Sequence, residues 1–149
     1  MNQSVLIHQL APAIHAGRLA IHDTDKRWVG SLRRLFPVRA SGVRWEEIPN
    51  SRSSPAELSR VPLGEKALVV RDFLLEFGSA AGLGQDDRCV LFGDSVTEVA
   101  FELSFGDLLD LFPSIFALPQ ATYVLTADAS WCFAYTFEGD MYFAKSPNV

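Results

Sequence analysis

A chain of 149 residues, 48% hydrophobic and 21% charged, has the size and usage of one globular domain, 1–149, able to bury a core without staples. Such usage excludes a disordered chain, and no stretch approaches the roughly 20 apolar residues of a membrane-spanning helix. The formal net charge of −5 argues against a nucleic-acid partner.

Residues 4–22 read ambiguously. Val5, Leu6, Leu10 and Ile14 suggest a helical face, but Pro12 and Gly17 interrupt any long helix. Asp23-Thr24-Asp25 predicts an N-cap for a helix from about Lys26 to Phe36, stopped by Pro37. Its apolar stripe is Trp28, Leu32, Leu35 and Phe36. Residues 49–64, with three prolines and four serines, predict an irregular connection. The strongest helical pattern follows, from about Gly64 to Phe77, with Gly78 expected to end it.

From Arg88 the period changes to that of strands. Cys89–Phe92 predicts a short buried strand, and Thr97–Leu103 a half-buried one in which Val99, Phe101 and Leu103 alternate with Glu98, Ala100 and Glu102. Ser104-x-x-Asp107 predicts a capped short helix, Asp107 to Phe112, ended by Pro113. Three more strands are expected at Thr122–Thr126, Trp131–Phe137 and Asp140–Ala144, joined by turns at Asp128-Ala129-Ser130 and Glu138-Gly139. The fold expected is therefore α+β: an antiparallel sheet of about five strands with N-terminal helices packed on one face.

Charge is divided unevenly along the chain. Residues 1–60 carry nine basic and five acidic side chains, a net +4, whereas residues 61–149 carry four and thirteen, a net −9. Asp94, Glu98, Glu102, Asp107, Asp110, Asp128, Glu138 and Asp140 fall within 47 residues that hold no Lys or Arg. Solvated charge on a sheet explains any one of them, but the group predicts a face that attracts cationic proteins. Trp131, Phe133, Tyr135 and Phe137 share a strand face expected to be core, with Trp131 or Tyr142 placed to anchor a partner at an edge.

Signals for catalysis are weak. His8, His15 and His22 recur every seven residues, not the three or four that metal ligands on a helix require, so no metal site and no cofactor are expected. Gly82-x-Gly84 precedes a strand instead of following one, beside Asp86 and Asp87, which argues against a phosphate loop. Gly93-Asp94-Ser95 lacks the second glycine of a nucleophile elbow. Glu98 and Glu102 on one strand would stand about 13 Å apart, beyond the roughly 5–9.5 Å of paired glycosidase carboxylates. No enzyme is expected. Cys89 and Cys132 sit in apolar segments and are expected to be free buried thiols, and the Met1-Asn2-Gln3-Ser4 start has no secretory character, so the expected compartment is the cytoplasm.

The stretch from Ala121-Thr122-Tyr123-Val124-Leu125 through Ser130-Trp131-Cys132-Phe133-Ala134-Tyr135-Thr136-Phe137-Glu138-Gly139-Asp140-Met141-Tyr142-Phe143 resembles the closing hairpins of small bacterial immunity proteins. These accompany polymorphic or contact-dependent growth-inhibition toxins, and in them a Tyr-rich strand leads to a Trp-Cys strand and an acidic turn. The resemblance covers about the last third of the chain. It implies a cytosolic protein that forms a heterodimer with a cognate toxin domain, expected to be a basic nuclease, and blocks its active site. The acids from Asp94 to Asp140, with Trp131 or Tyr142 as anchor, are the expected interface. Two alternatives stay open: a small enzyme with an acidic pocket for a cationic or sugar substrate, and a generic homodimeric adaptor or regulatory module.

Overall fold

The computed structural model describes residues 2–39, 42–49, 51–53, 61–94, 97–117, 120–136 and 140–147, the side chains of 63 and 64 excepted. The chain is α+β, as its patterning predicts. The main sheet is wholly antiparallel and has seven strands rather than about five, in the order β1 (Leu19–His22), β6 (Ala100–Ser104), β5 (Arg88–Gly93), β7 (Thr122–Thr126), β8 (Trp131–Tyr135), β9 (Met141–Lys145), β4 (Arg52–Ser53). A two-stranded ribbon, β2 (Val38–Arg39) with β3 (Gly42–Val43), stands apart.

Odd-numbered side chains of β5, β6, β8 and β9, with Val124 of β7, build the larger core. Cys89, Leu91, Phe101, Leu103, Phe133, Tyr135, Met141 and Phe143 meet helices α1 (Gln3–His15), α3 (Leu63–Ala80) and α4 (Phe105–Phe116). In α1 the Asn2 side chain caps the Val5 amide at 2.9 Å, and Leu6, Leu10 and Ala13 fall on one buried face. Pro12 is tolerated at an exposed position, and the helix ends before Gly17 at φ +75°.

Several expected boundaries move. α3 runs past Gly78 to Ala80, because Gly78 packs against the Phe105 ring, where a Cβ would lie 2.7 Å from Cζ. The left-handed exit falls at Gly82 instead, φ +86°. Ser104 caps the Asp107 amide at 3.1 Å as expected, but α4 continues through Pro113 to Phe116, held by buried Ile115. Thr97–Val99 lie outside β6, so Glu98 and Glu102 do not share a strand. Phe137, the expected end of the Trp131–Phe137 strand, and Glu138-Gly139, the expected last hairpin turn, lie outside the described residues.

The largest correction concerns the second sheet face. The expectation of an open acidic face fails because this face is buried too. Val90, Phe92, Ala100, Leu125, Cys132, Ala134 and Ala144 pack beneath Leu32 and Phe36 of α2 (Lys26–Leu35), Val43, Trp45 and Ile48. The short side chains on β6, β8 and β9 leave room for the Trp45 ring, which stacks on Tyr142 at 4.9 Å and 3°. A hydroxyl of buried Ser146 donates to the Leu35 carbonyl, tying the end of β9 to α2. Cys89 and Cys132 are free and buried on opposite faces.

At the end of β5, Gly93 lies under the amide of Gln120, which is buried and bonds Thr97 through both of its polar atoms, at 3.1 Å each. A Cβ at Gly93 would sit 2.0 Å from that amide and eject it. Gly93→Ala is therefore expected to cost about 1–3 kcal/mol, the penalty of unsatisfied buried polar groups. Gly30→Ala, on α2 with nothing within 4 Å, is expected to add about 0.5–1 kcal/mol through helix propensity. Urea unfolding of the two variants would check both signs.

Candidate functional site

The registers divide the sheet's margins into two. At one end lie His22, Gly93, Ala100, Thr122, Tyr135 and Met141; at the other lie Leu19, Arg88, Ser104, Thr126, Trp131 and Lys145. The acids expected to form one face separate between these ends.

At the second end Asp107, Asp110 and Asp128 are engaged, Asp87 accepts from the Gly84 amide at 2.7 Å, and Asp86 is exposed without an ion pair among the described residues. Asp107 and Asp110, on α4, both bind Arg18, at 2.9 and 2.6 Å. Asp128 accepts from the Ser130 hydroxyl (2.6 Å), the Ser130 amide (3.0 Å) and the Thr126 hydroxyl (2.9 Å), bonds that hold its pKa below the ordinary carboxylate range. They also brace the turn in which Ala129 takes φ +58°. Trp131 is half-buried beside Phe143 and lines a groove of about 350 Å³ with Asp87, Arg88 and Asp128. Glu102 lies mid-strand, 3.0 Å from the His22 ring and 3.2 Å from Arg88. The His22 hydrogen bond first, then Arg88, lowers its pKa against a desolvation that raises it. Tyr142 is half-buried against Trp45 rather than standing free.

At the first end Asp94, Glu98 and Asp140 are joined by two acids that sequence patterning assigned to a helix cap, Asp23 and Asp25. Among the described residues none of these five is ion-paired. The rim they form follows the strand ends from β1 to β9, five spacings or about 24 Å. Glu98 is fixed through its backbone: its amide donates to the Gln3 side chain at 2.6 Å, and its carbonyl accepts from the Asp25 amide at 3.1 Å. Asp25 makes no side-chain cap. Desolvation raises its pKa, and the nearby Glu98 charge adds to the rise.

Part of this rim borders a cleft of about 470 Å³ between α2, the β2–β3 ribbon and the ends of β5 and β7, within the range of small-ligand sites. Asp25 and Asp94 line it together with Arg33 and Arg39, over Phe92 and Tyr123. Tyr123 stacks on Phe92 at 5.7 Å. Gly42 takes φ +110° where a Cβ would lie 2.8 Å from the Tyr123 hydroxyl, so glycine lets the ribbon close over the ring. Burial pushes the Tyr123 phenol up to about 12, with the Asp94 charge acting in the same direction and the Val43 backbone hydrogen bond opposing it. The phenol is thus a neutral donor at ordinary pH. Cys89, raised to about 12 by burial, and the more strongly raised Cys132 stay protonated in the interior.

Among the described residues no group of three His, Cys, Asp or Glu side chains could hold a metal ion, and no helix is long and apolar enough to cross a membrane. No protein-family model matches the chain, and no curated protein is found to match it.

The raised Tyr123 and Cys89 values carry a sign. A group whose folded pKa lies above its unfolded value stabilises below the unfolded value and loses that contribution as pH rises through the folded one. Stability is therefore expected to fall from about pH 9, where Cys89 begins, through about 12. Ultraviolet titration of Tyr123→Phe against wild type should remove one phenol with a midpoint near 12.

Proposed function

We propose that this protein is an immunity protein: it binds a cognate bacterial toxin domain in the cytoplasm, as a heterodimer, and blocks it without itself catalysing a reaction. The observation that carries the reading is the row of carboxylates without ion pairs along one end of the sheet. Asp107 and Asp110 at one end of the sheet are paired with Arg18 and Asp128 is capped, whereas Asp23, Asp25, Asp94, Glu98 and Asp140 at the other have no ion-pair partner among the described residues, and two of them, Asp25 and Asp94, the latter accepting from the Ala121 amide at 3.1 Å, line an open cleft. Unpaired like charges oppose folding, so their retention fits a surface completed by a basic partner. Nuclease domains bind phosphates through Lys and Arg, and an acidic rim about 24 Å long can occupy such a basic cleft. Charge complementarity of this kind raises association rates towards about 10⁸–10⁹ M⁻¹s⁻¹ at low salt. The resemblance of the Tyr123 to Phe143 region to immunity-protein hairpins points the same way.

The interface proposed here differs from the sheet face that sequence patterning suggests. It keeps Asp94, Glu98 and Asp140, adds Asp23 and Asp25, and assigns Asp107, Asp110, Asp128 and Glu102 to intramolecular work.

A second reading, a small enzyme with an acidic pocket, draws on the presence of Asp25 and Asp94 in one cleft, Asp25 with a raised pKa. Turnover of a cationic or glycosidic substrate, lost in Asp94→Asn, would favour it.

Asp94→Lys/Glu98→Lys, combined, is expected to slow association with the toxin domain encoded beside this gene by about tenfold at low salt, the difference shrinking near 0.5 M salt. Asp86→Lys/Glu65→Lys changes net charge equally at exposed positions away from the rim and should act far less. Equal effects from the two pairs, or none from the first, would sink the placement. A metabolic operon in place of a toxin gene would sink the reading itself.

A further inference from the structure

The cleft is bipolar, and its two poles specify an occupant. α2 carries Asp25 at its N-terminal boundary and Arg33 eight residues later, about 12 Å along the axis at 1.5 Å per residue. Asp94, at the end of β5, and Arg39, on the ribbon, add one charge of each sign. Arg33 is exposed and without an ion pair among the described residues, and Arg39 reaches Glu47 only at 3.6 Å with both side chains exposed, a contact easily exchanged. Between the poles lie Val29, Val38 and the half-buried Tyr123, which stacks on the buried Phe92.

A purely cationic occupant would pair with Asp25 and Asp94 but leave two guanidiniums facing its own charge. A single lysine or arginine side chain would also leave most of a cavity of about 470 Å³ unfilled. We infer that the cleft receives a zwitterionic loop of the protein partner, its basic side chain lying between Asp25 and Asp94 and its carboxylate meeting Arg33 and Arg39. Tyr123, backed by the buried Phe92 ring, forms the floor on which the intervening backbone rests. This rests on the partner-binding reading and sharpens it: the rim steers any basic protein, whereas the cleft selects one that carries an acid at the right spacing.

The probe is the capped tripeptide Arg-Gly-Glu, titrated into the whole protein and followed by backbone amide NMR. Millimolar binding is expected, with shifts confined to α2, the ribbon and the ends of β5 and β7. Capped Arg-Gly-Gln and Gln-Gly-Glu should each bind about threefold or more weakly, as should Arg-Gly-Glu to Arg33→Gln or Asp94→Asn. Equal binding of Arg-Gly-Gln and Arg-Gly-Glu, or shifts elsewhere, would overturn the inference. The toxin complex separates the two readings. A uniformly acidic interface predicts tighter binding of a basic partner when Arg33 becomes Gln, and the bipolar cleft predicts weaker binding. If Asp94→Lys/Glu98→Lys weakens the complex while Arg33→Gln tightens it, the rim reading survives and the cleft inference is wrong. If the first pair has no effect, the rim reading fails, and the tripeptide result still decides the cleft.

Discussion

The central sheet of this protein has to bury both of its faces, and most other features follow from that. β5 reads Cys89-Val90-Leu91-Phe92 and β8 reads Trp131-Cys132-Phe133-Ala134-Tyr135, apolar runs without a polar alternate. An antiparallel sheet with one wet face alternates; a sheet whose strands do not alternate needs a second layer. Here α1, α3 and α4 supply one layer, and α2 with the β2–β3 ribbon and Trp45 supplies the other. The second layer is thin because Ala100, Ala134, Ala144 and Cys132 are small, which leaves room for the Trp45 indole to stack on the Tyr142 ring.

That constraint decides where charge can go. With both faces covered, carboxylates are driven to strand ends, turns and outer helix surfaces, where water or a counter-charge is available. Glu102 marks the limit of the rule. It lies mid-strand on the second face, near the uncovered corner by β1, and it is matched by His22 and Arg88. The basic first part of the chain is thus partly spent on the acidic remainder, through Arg18 on α4 and His22 on β6, and partly placed in the cleft as Arg33 and Arg39.

Much of the fold was legible from local signals. α2 follows its Trp28–Leu32–Leu35–Phe36 stripe, Ser104 caps α4, and β5, β7, β8 and β9 lie within two residues of their expected bounds. What escaped was long-range. β1, β2, β3 and β4 have two to four residues each, too short to carry a period, and exist only because of what they pair with. Glu98 was misplaced because Glu98-Val99-Ala100 continues the alternation of β6 although the backbone there belongs to the connection from β5. The continuous Cys89–Phe92 run was itself a signal for a doubly covered sheet, outweighed in the sequence reading by the acids around it. The candidate cleft was not legible, since its walls come from four segments spread between residues 25 and 123.

Carboxylates in different parts of the sheet respond to acid with opposite signs. Glu102 and Asp128 have lowered pKa values, so they stabilise the fold above their unfolded pKa and lose that contribution as pH falls. Asp25 is raised by desolvation and by Glu98, so its ionised form opposes folding near neutrality and the opposition relaxes as pH drops. A guanidinium or ammonium arriving beside Asp25 would offset its desolvation by adding to the counter-charge of Lys26. The same local cost that weakens the free protein would then appear as affinity in the complex, a trade open only to a site that the fold leaves unsatisfied.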